Sequence, residues 1–262
     1  MDSAKKPATD GFDRKRIEEA GLNVLQTQRQ LFFDGWLLRL SPGVAKRGRS
    51  VNAHFGSSLP LEGKVAYCES LYAQHGLPTL FRITPRIHPS GLEAALAARG
   101  YQSFDETLVQ AVTLDRPPPL PDHADDVEVD SPDTPAFVEA VGDLRGSTPA
   151  QREAHRERLT NSPLGKRHAV VWAGGRVVCT AQAAVEGNLV GLFDVVTAES
   201  ARRRGYATLA CAWLLSWAWQ HGAQAAYLQV SAANGPAIAS YRKFGFATVY
   251  TYHYRGRVGE CE

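Results

Sequence analysis

Residues 195–209 read VVTAESARRRGYATL. Two β-branched residues, Val195 and Val196, run into a short polar loop. Arg202, Arg203 and Arg204 then precede Gly205, and an apolar-periodic stretch opens at Tyr206, Ala207 and Thr208. The pattern predicts a strand, a basic loop and a long helix over 205–221 that stops at Gly222. A helix N-terminus presents unpaired N–H groups and the positive end of its dipole, so it attracts anions. Gly205 lets a diphosphate approach the backbone closely, and the arginines add charge at the mouth. By itself, a basic glycine turn also describes an ordinary solvated helix start.

A second stretch separates these readings. Asn234, Ala237 and Tyr241 stand at i, i+3 and i+7 of a predicted helix over 235–244, so they share a face. That helix follows the strand predicted at 225–230. In an α/β sheet its first turn therefore falls near the carboxyl edge of the strands, where ligands bind. Taken as structure only, Tyr241 is a core or rim side chain.

With both stretches in hand, residues 126–262 resemble a domain of the GNAT acetyltransferase superfamily. Residues 202–207, RRRGYA, match its R/Q-x-x-G-x-G/A pyrophosphate loop. Residues 234–241 match its N-x-x-A-x-x-x-Y pattern, and Phe244-Gly245-Phe246 its F-G-F close. The resemblance implies an acetyl-CoA-dependent N-acetyltransferase with no metal. The thioester would lie along the strand at Val195 and Val196, where a backbone N–H polarises its carbonyl. The N–H groups from Arg203 through Gly205, Tyr206 and Ala207 to Thr208 would hold the pyrophosphate. Asn234 would help to position the pantetheine arm or the acceptor, and Tyr241 would protonate the departing thiolate. For a general base, Asp194 and Glu186 are the candidates, each equally readable as a solvated or substrate-binding carboxylate. Cys179 and Cys211 lack a neighbouring base and are rejected as nucleophiles.

Working outward, residues 116–126 read RPPPLPDHADD, an extended segment unsuited to helix or sheet. It divides the chain into 1–115 and 127–262. The halves resemble each other: Gln74-His75-Gly76 and Gln220-His221-Gly222 each precede a strand, a helix and a closing glycine, 25 and 24 residues after the histidine. The repeat reads as a duplication with a mixed α/β sheet, and with the resemblance it implies tandem GNAT-like domains of the α/β (α+β) class, each a mixed, mostly antiparallel sheet flanked by helices. In the first half Leu96 stands where Tyr241 does, and Leu59, within GSSLP, stands where Gly205 does. That half is thus a degenerate copy. Its basic stretch Lys46-Arg47-Gly48-Arg49 reads as a solvated hairpin turn, with contact to an acidic substrate or a cofactor phosphate as the alternative. Trp36 and Arg39, on a predicted strand at 36–40, are open between core and site.

The bulk numbers exclude more than they select. A chain of 262 residues with 44% apolar content buries one large core or two ordinary ones. A net charge of +2 points to neither nucleic acid nor a membrane surface. Cys68, Cys179, Cys211 and Cys261 show no zinc spacing and read as reduced thiols. No apolar run is long enough to span a bilayer, and residues 1–12 lack a secretory pattern. The expectation is a cytoplasmic monomer or homodimer acting on a small-molecule amine or amino acid. Two alternatives stay open: acetylation of a protein lysine or N-terminus, and a non-catalytic acyl-CoA-binding regulatory module.

Overall fold

Asp13 starts the first helix. Its carboxylate accepts the backbone N–H groups of Lys15 and Arg16, and α1 runs over Arg14–Val24. The computed structural model describes residues 11–27, 29–43, 45–122 and 126–259, so Cys261 lies outside the described residues. Strands β1 (Gln30–Phe33) and β2 (Trp36–Arg39) form a hairpin across Asp34-Gly35, both with positive φ. The rest of the first half is β3 (Val51–Asn52), α2 (Leu61–Gln74), β4 (Phe81–Ile83), α3 (Leu92–Ala98) and β5 (Gln102–Thr113).

The second half opens with β6 (Val127–Asp130), α4 (Thr134–Arg145) and α5 (Pro149–Asn161). It continues with β7 (Gly165–Ala173), β8 (Arg176–Glu186) and β9 (Leu189–Thr197). It closes with α6 (Tyr206–Gln220), β10 (Ala225–Ser231), α7 (Gly235–Arg242) and β11 (Ala247–Gly256). As the sequence predicts, β7 and β8 turn at Gly174-Gly175, both left-handed, the backbone that a two-residue hairpin needs. The repeat also holds: α2, β4, α3 and β5 recur in order as α6, β10, α7 and β11. Both long helices end in Gln-His followed by a glycine with positive φ.

The eleven strands of the described residues join one sheet, ordered β1-β2-β3-β4-β11-β5-β10-β9-β8-β7-β6. Only β3–β4 and β9–β10 are parallel, so the sheet is mixed and mostly antiparallel. Chain order alone would place β5 beside β4 and β11 beside β10. Instead β11 pairs with β4 and β5, and β5 lies between β11 and β10. Each half contributes its last strand to the other. The exchange buries Val109 and Ala111 of β5 with Val249, Tyr250 and Tyr252 of β11, under Ile17 and Ala20 of α1. On the opposite face, Ala210, Cys211, Leu214, Leu215 and Ala218 of α6 recur at helical spacing and pack on β7 to β10.

One buried ion pair ties these layers together. Glu18 of α1 bonds Arg82 of β4, with the second contact at 3.1 Å, and accepts the Tyr250 hydroxyl of β11 at 2.6 Å. The Arg82 guanidinium lies 3.8 Å from the Tyr252 ring centroid. Burial would raise the Glu18 carboxyl, yet the Arg82 charge, with His54 and Tyr250, draws it down to about 2. Trp36 is a core residue at 0% exposure, and Arg39, at 2%, is buried at the edge of a cavity of about 520 Å³ beside α1.

Candidate active site

β9 and β10 are in parallel register from Leu189/Ala225 to Leu192/Leu228 and then part. Beyond that point β10 continues against β5, and β9 against β8. A bulge causes the parting: Gln182 faces Phe193 and Thr180 faces Val196, so two residues of β9 oppose one of β8. Asp194 occupies the bulge with φ of 49°. The result is a wedge in the sheet, and the edge of β9 turned toward β10 has no strand partner there.

A cavity of about 750 Å³ fills one side of the wedge. Val195, Val196, Arg202, Arg203, Gly205, Tyr206, Ala207, Thr208, Asn234, Ala237 and Tyr241 all line it. The loop reaches helix α6 through two left-handed residues, Arg203 at φ 62° and Gly205 at φ 85°, a backbone course that turns successive N–H groups into an anion-binding concavity. Gly205 is the N-cap and supplies no side-chain cap; the first backbone bond of the helix is Leu209 N–H to Gly205 C=O. The N–H groups of Ala207 and Thr208 are therefore without intrahelical acceptors and open on the cavity. Ala207, Ala237 and Phe244 give it an apolar flank. These features fit the diphosphate and aliphatic arm of a CoA thioester. Arg204 is the exception among the expected residues: it is outside the lining, and its guanidinium lies 5.6 Å from the Tyr206 ring.

Asn234 and Tyr241 come from α7. The Asn234 side-chain oxygen accepts the Ala237 N–H at 3.2 Å and so caps the helix, which leaves its amide N–H groups for a ligand. Tyr241 is half-buried, edge-on to Phe246 at 6.1 Å. Burial, with Cys211 and Cys179 nearby, pushes its phenol up, so it stays protonated at neutral pH. The thiols themselves are buried; burial raises Cys179 to about 11 and Cys211 further, and neither is a thiolate nucleophile.

Across the wedge is a second compartment of about 460 Å³, which shares Val195, Asn234, Ala237 and Tyr241 with the first. Asp194 opens on this side. Its Oδ2 is 2.9 Å from His155 Nε2 and its Oδ1 accepts Arg145 at 2.9 Å. Burial would raise this carboxyl, but His155, Arg145 and Arg158 hold it well below the usual carboxylate range. Glu186, the other carboxylate considered, lines neither compartment and instead accepts Asn23 and Arg16.

His155, Arg145 and Arg158 were not expected from sequence. They come from α4 and α5, whose start is fixed by a Thr148–Gln151 capping box. His155 and Arg158 are three apart and share a face. The first half enters here too, through Val24, Leu25, Ala45 and Arg47. Arg47 is thus no solvated turn residue, although its neighbour Lys46 pairs with Asp105 at 3.2 Å. Among the described residues, no cluster of three or more His, Cys, Asp or Glu is placed to hold a metal ion.

Residues 13–255 match the family model described as "Probable histone acetyltransferase Rv0428c C-terminal". The chain is 27% identical over 248 residues to "Uncharacterized N-acetyltransferase YobR" of Bacillus subtilis (strain 168), across 93% of this chain and 98% of that protein. Among solved structures, a GCN5-related N-acetyltransferase from Kribbella flavida superposes with a TM-score of 0.69 at 16% identity, covering 97% of this chain and 96% of that one. A tandem GNAT protein from the clavulanic acid biosynthesis pathway gives a TM-score of 0.61 at 15% identity, covering 79% and 74%. At such identities the structural likeness is one of fold. The family match, by contrast, runs almost the whole length of the sequence; the chain belongs to that acetyltransferase family, and it is an acyltransferase of the GNAT type.

Proposed function

We propose that the protein moves the acetyl group of acetyl-CoA directly to the primary amine of a small molecule. The observation that carries this reading is the meeting of two compartments at Val195, Asn234, Ala237 and Tyr241. One has the loop and helix end suited to a CoA diphosphate; the other is a polar chamber on the far side of the wedge. An acceptor in that chamber reaches the thioester along the unpaired edge of β9.

The amine lone pair forms the new C–N bond at the thioester carbonyl carbon as the C–S bond breaks. Backbone N–H at Val195 or Val196 steadies the carbonyl oxygen. Tyr241 gives its phenolic proton to the leaving thiolate, and the acylated nitrogen loses its extra proton to water, which reprotonates the tyrosine. Asp194, already bound on both oxygens, orients His155 and Arg145 in this scheme rather than taking a proton.

The family description favours a second reading, acetylation of a protein lysine. The chamber's arginines oppose a lysine-rich tail, because like charges disfavour its entry. A protonated Tyr241 phenol speaks for turnover over a passive binding module. We place the reaction in the cytoplasm, where the buried free thiols stay reduced; among the described residues no helix is long and apolar enough to cross a membrane. The test is thiol release from acetyl-CoA over a panel of small amines and lysine peptides, beside acetyl-CoA binding by calorimetry. Binding without release from any amine removes the enzymatic reading; release with peptides alone transfers it to proteins.

A further inference from the structure

The acceptor chamber carries more positive charge than its own residues neutralise. Arg47, Arg145 and Arg158 line it against a single carboxylate, Asp194, and that carboxylate is already taken by Arg145 and His155. Among the described residues neither Arg47 nor Arg158 makes an ion pair. Arg158 donates one bond, to the Ala154 carbonyl at 3.0 Å. Arg47 Nη1 is buried without a partner, and its guanidinium is held 5.6 Å from the Phe193 ring centroid. The two arginines belong to different halves of the chain, and burial together with the nearby Arg145 and Arg47 charges disfavours the charge of Arg158. Gathering such groups costs free energy that an anion between them recovers.

A second, independent feature points to a polar ligand in the same place. Gln182 of β8 lines the chamber beside the bulge and is fully buried, and among the described residues neither its amide nitrogen nor its amide oxygen has a hydrogen-bond partner. Buried amides are almost always satisfied, so both ends of Gln182 are available to a bound molecule. The chamber is also closed tightly on the Arg158 side. A Cβ at Gly43 would stand 2.8 Å from Arg158 Nη1, so the first-half loop lies close over that guanidinium and a larger residue there would push its end aside.

Resting on the acetyl-transfer reading above, we propose that the acceptor is a small amine that also carries a carboxylate, and that Arg47 and Arg158 bind this carboxylate while the amine faces the wedge at Tyr241. A planar carboxylate matches the guanidinium fork, and charge-assisted bonds of this kind are the strong ones. Gln182 offers one donor and one acceptor to the same molecule. The degenerate half thereby becomes a specificity element, since Arg47 is the charged group it brings to the chamber.

The experiment compares kcat/KM for amino acids of different length, each beside its own carboxamide, with aminoalkyl phosphates as a third arm. Acetyl-CoA affinity is measured in parallel. The expected result is a preference of about tenfold to a hundredfold for the carboxylate over its amide. Arg47→Ala and Arg158→Ala are expected to erase that preference, chiefly through KM, with acetyl-CoA affinity intact as evidence of a folded cofactor side. Arg47→Lys, which keeps charge but loses the fork, is expected to restore part of it. Equal turnover of acid and amide, or equal losses for both in the arginine variants, overturns the carboxylate assignment while leaving acetyl transfer standing. Preference for the phosphate arm overturns it as well. No turnover of any amine, with acetyl-CoA still bound, fails the underlying reading instead.

Discussion

His155 Nε2 lies 2.9 Å from Asp194 Oδ2, joining helix α5 to the bulged strand β9 in the second compartment of the wedge. The pair fixes the one non-glycine residue of β9 with left-handed backbone, at φ 49°, a conformation that surrounding contacts must hold. The carboxylate is part of the scaffold that aims β9, and its chemistry follows from that.

Asp194 stays ionised far into acid. Burial acts to raise its pKa, but His155, Arg145 and Arg158 outweigh it and hold it well below the normal value of 3.8. Its stabilising contribution is complete above that unfolded value and is lost only as pH falls through the depressed folded one. The rate profile between about pH 5 and 8, where carboxylates of ordinary pKa are already ionised, should show no limb assignable to Asp194. Asp194→Asn should lower the denaturant midpoint by an amount equal to about 1.5–3 kcal/mol. A limb in that range that vanishes in Asp194→Asn restores the residue as a general base.

Tyr241→Phe should retain acetyl-CoA affinity and lose about a hundredfold in the single-turnover rate of thiol release. Burial raises the wild-type phenol above its usual value of 10. It therefore remains a donor throughout the neutral range, and activity should not decline on the alkaline side below that value. A Phe variant with wild-type single-turnover rate contradicts the donor role.

At Gly205 the backbone is left-handed, φ 85°, and lines the cavity where a CoA diphosphate is proposed to sit. Gly205→Asp adds backbone strain of about 1–3 kcal/mol and places a negative charge where a diphosphate would bind. Acetyl-CoA affinity by calorimetry should fall at least about tenfold, the equivalent of about 1.4 kcal/mol. Unchanged affinity would falsify the loop's assignment.

The Glu18–Arg82 pair should govern acid stability. Glu18 titrates at about 2 in the folded protein against 4.5 without the fold. The stability it contributes is complete above about pH 4.5 and drains away as pH falls toward 2. Glu18→Gln removes this segment of the stability–pH curve and leaves the Arg82 charge buried without its partner, at a cost of about 3–5 kcal/mol at neutral pH. Chemical denaturation across pH 2–7 measures both effects.

The gathering of the motif residues around one cavity was legible because it is local. Arg203, Gly205, Asn234 and Tyr241 are placed by one loop and one helix face, and motifs spaced along a few turns record such geometry directly. The repeat was legible through its helix-capping glycines. The β1–β2 hairpin escaped despite Asp34-Gly35, a strong turn signal, because the first strand is only four residues long. The exchange of β5 and β11 had no local signature, since alternation along 104–112 gives a face and not a neighbour. The second compartment was hidden for a related reason. His155 and Arg158 belong to a helix reading PAQREAHRERLTN, whose charge density looks like solvated surface. Arg47 gained its place only through contact with the other half.

Because β5 and β11 lie side by side in the middle of the sheet, the peptide bonds at 116–126 are not what keeps the halves together. A chain nicked among those prolines would still travel as a single particle. Either half made alone would expose a bare strand edge and invite pairing with its own copies. β10, which forms one wall of the wedge, owes its other neighbour, β5, to the first half. Shedding that half would not simplify the molecule; it would take away a wall of the second compartment.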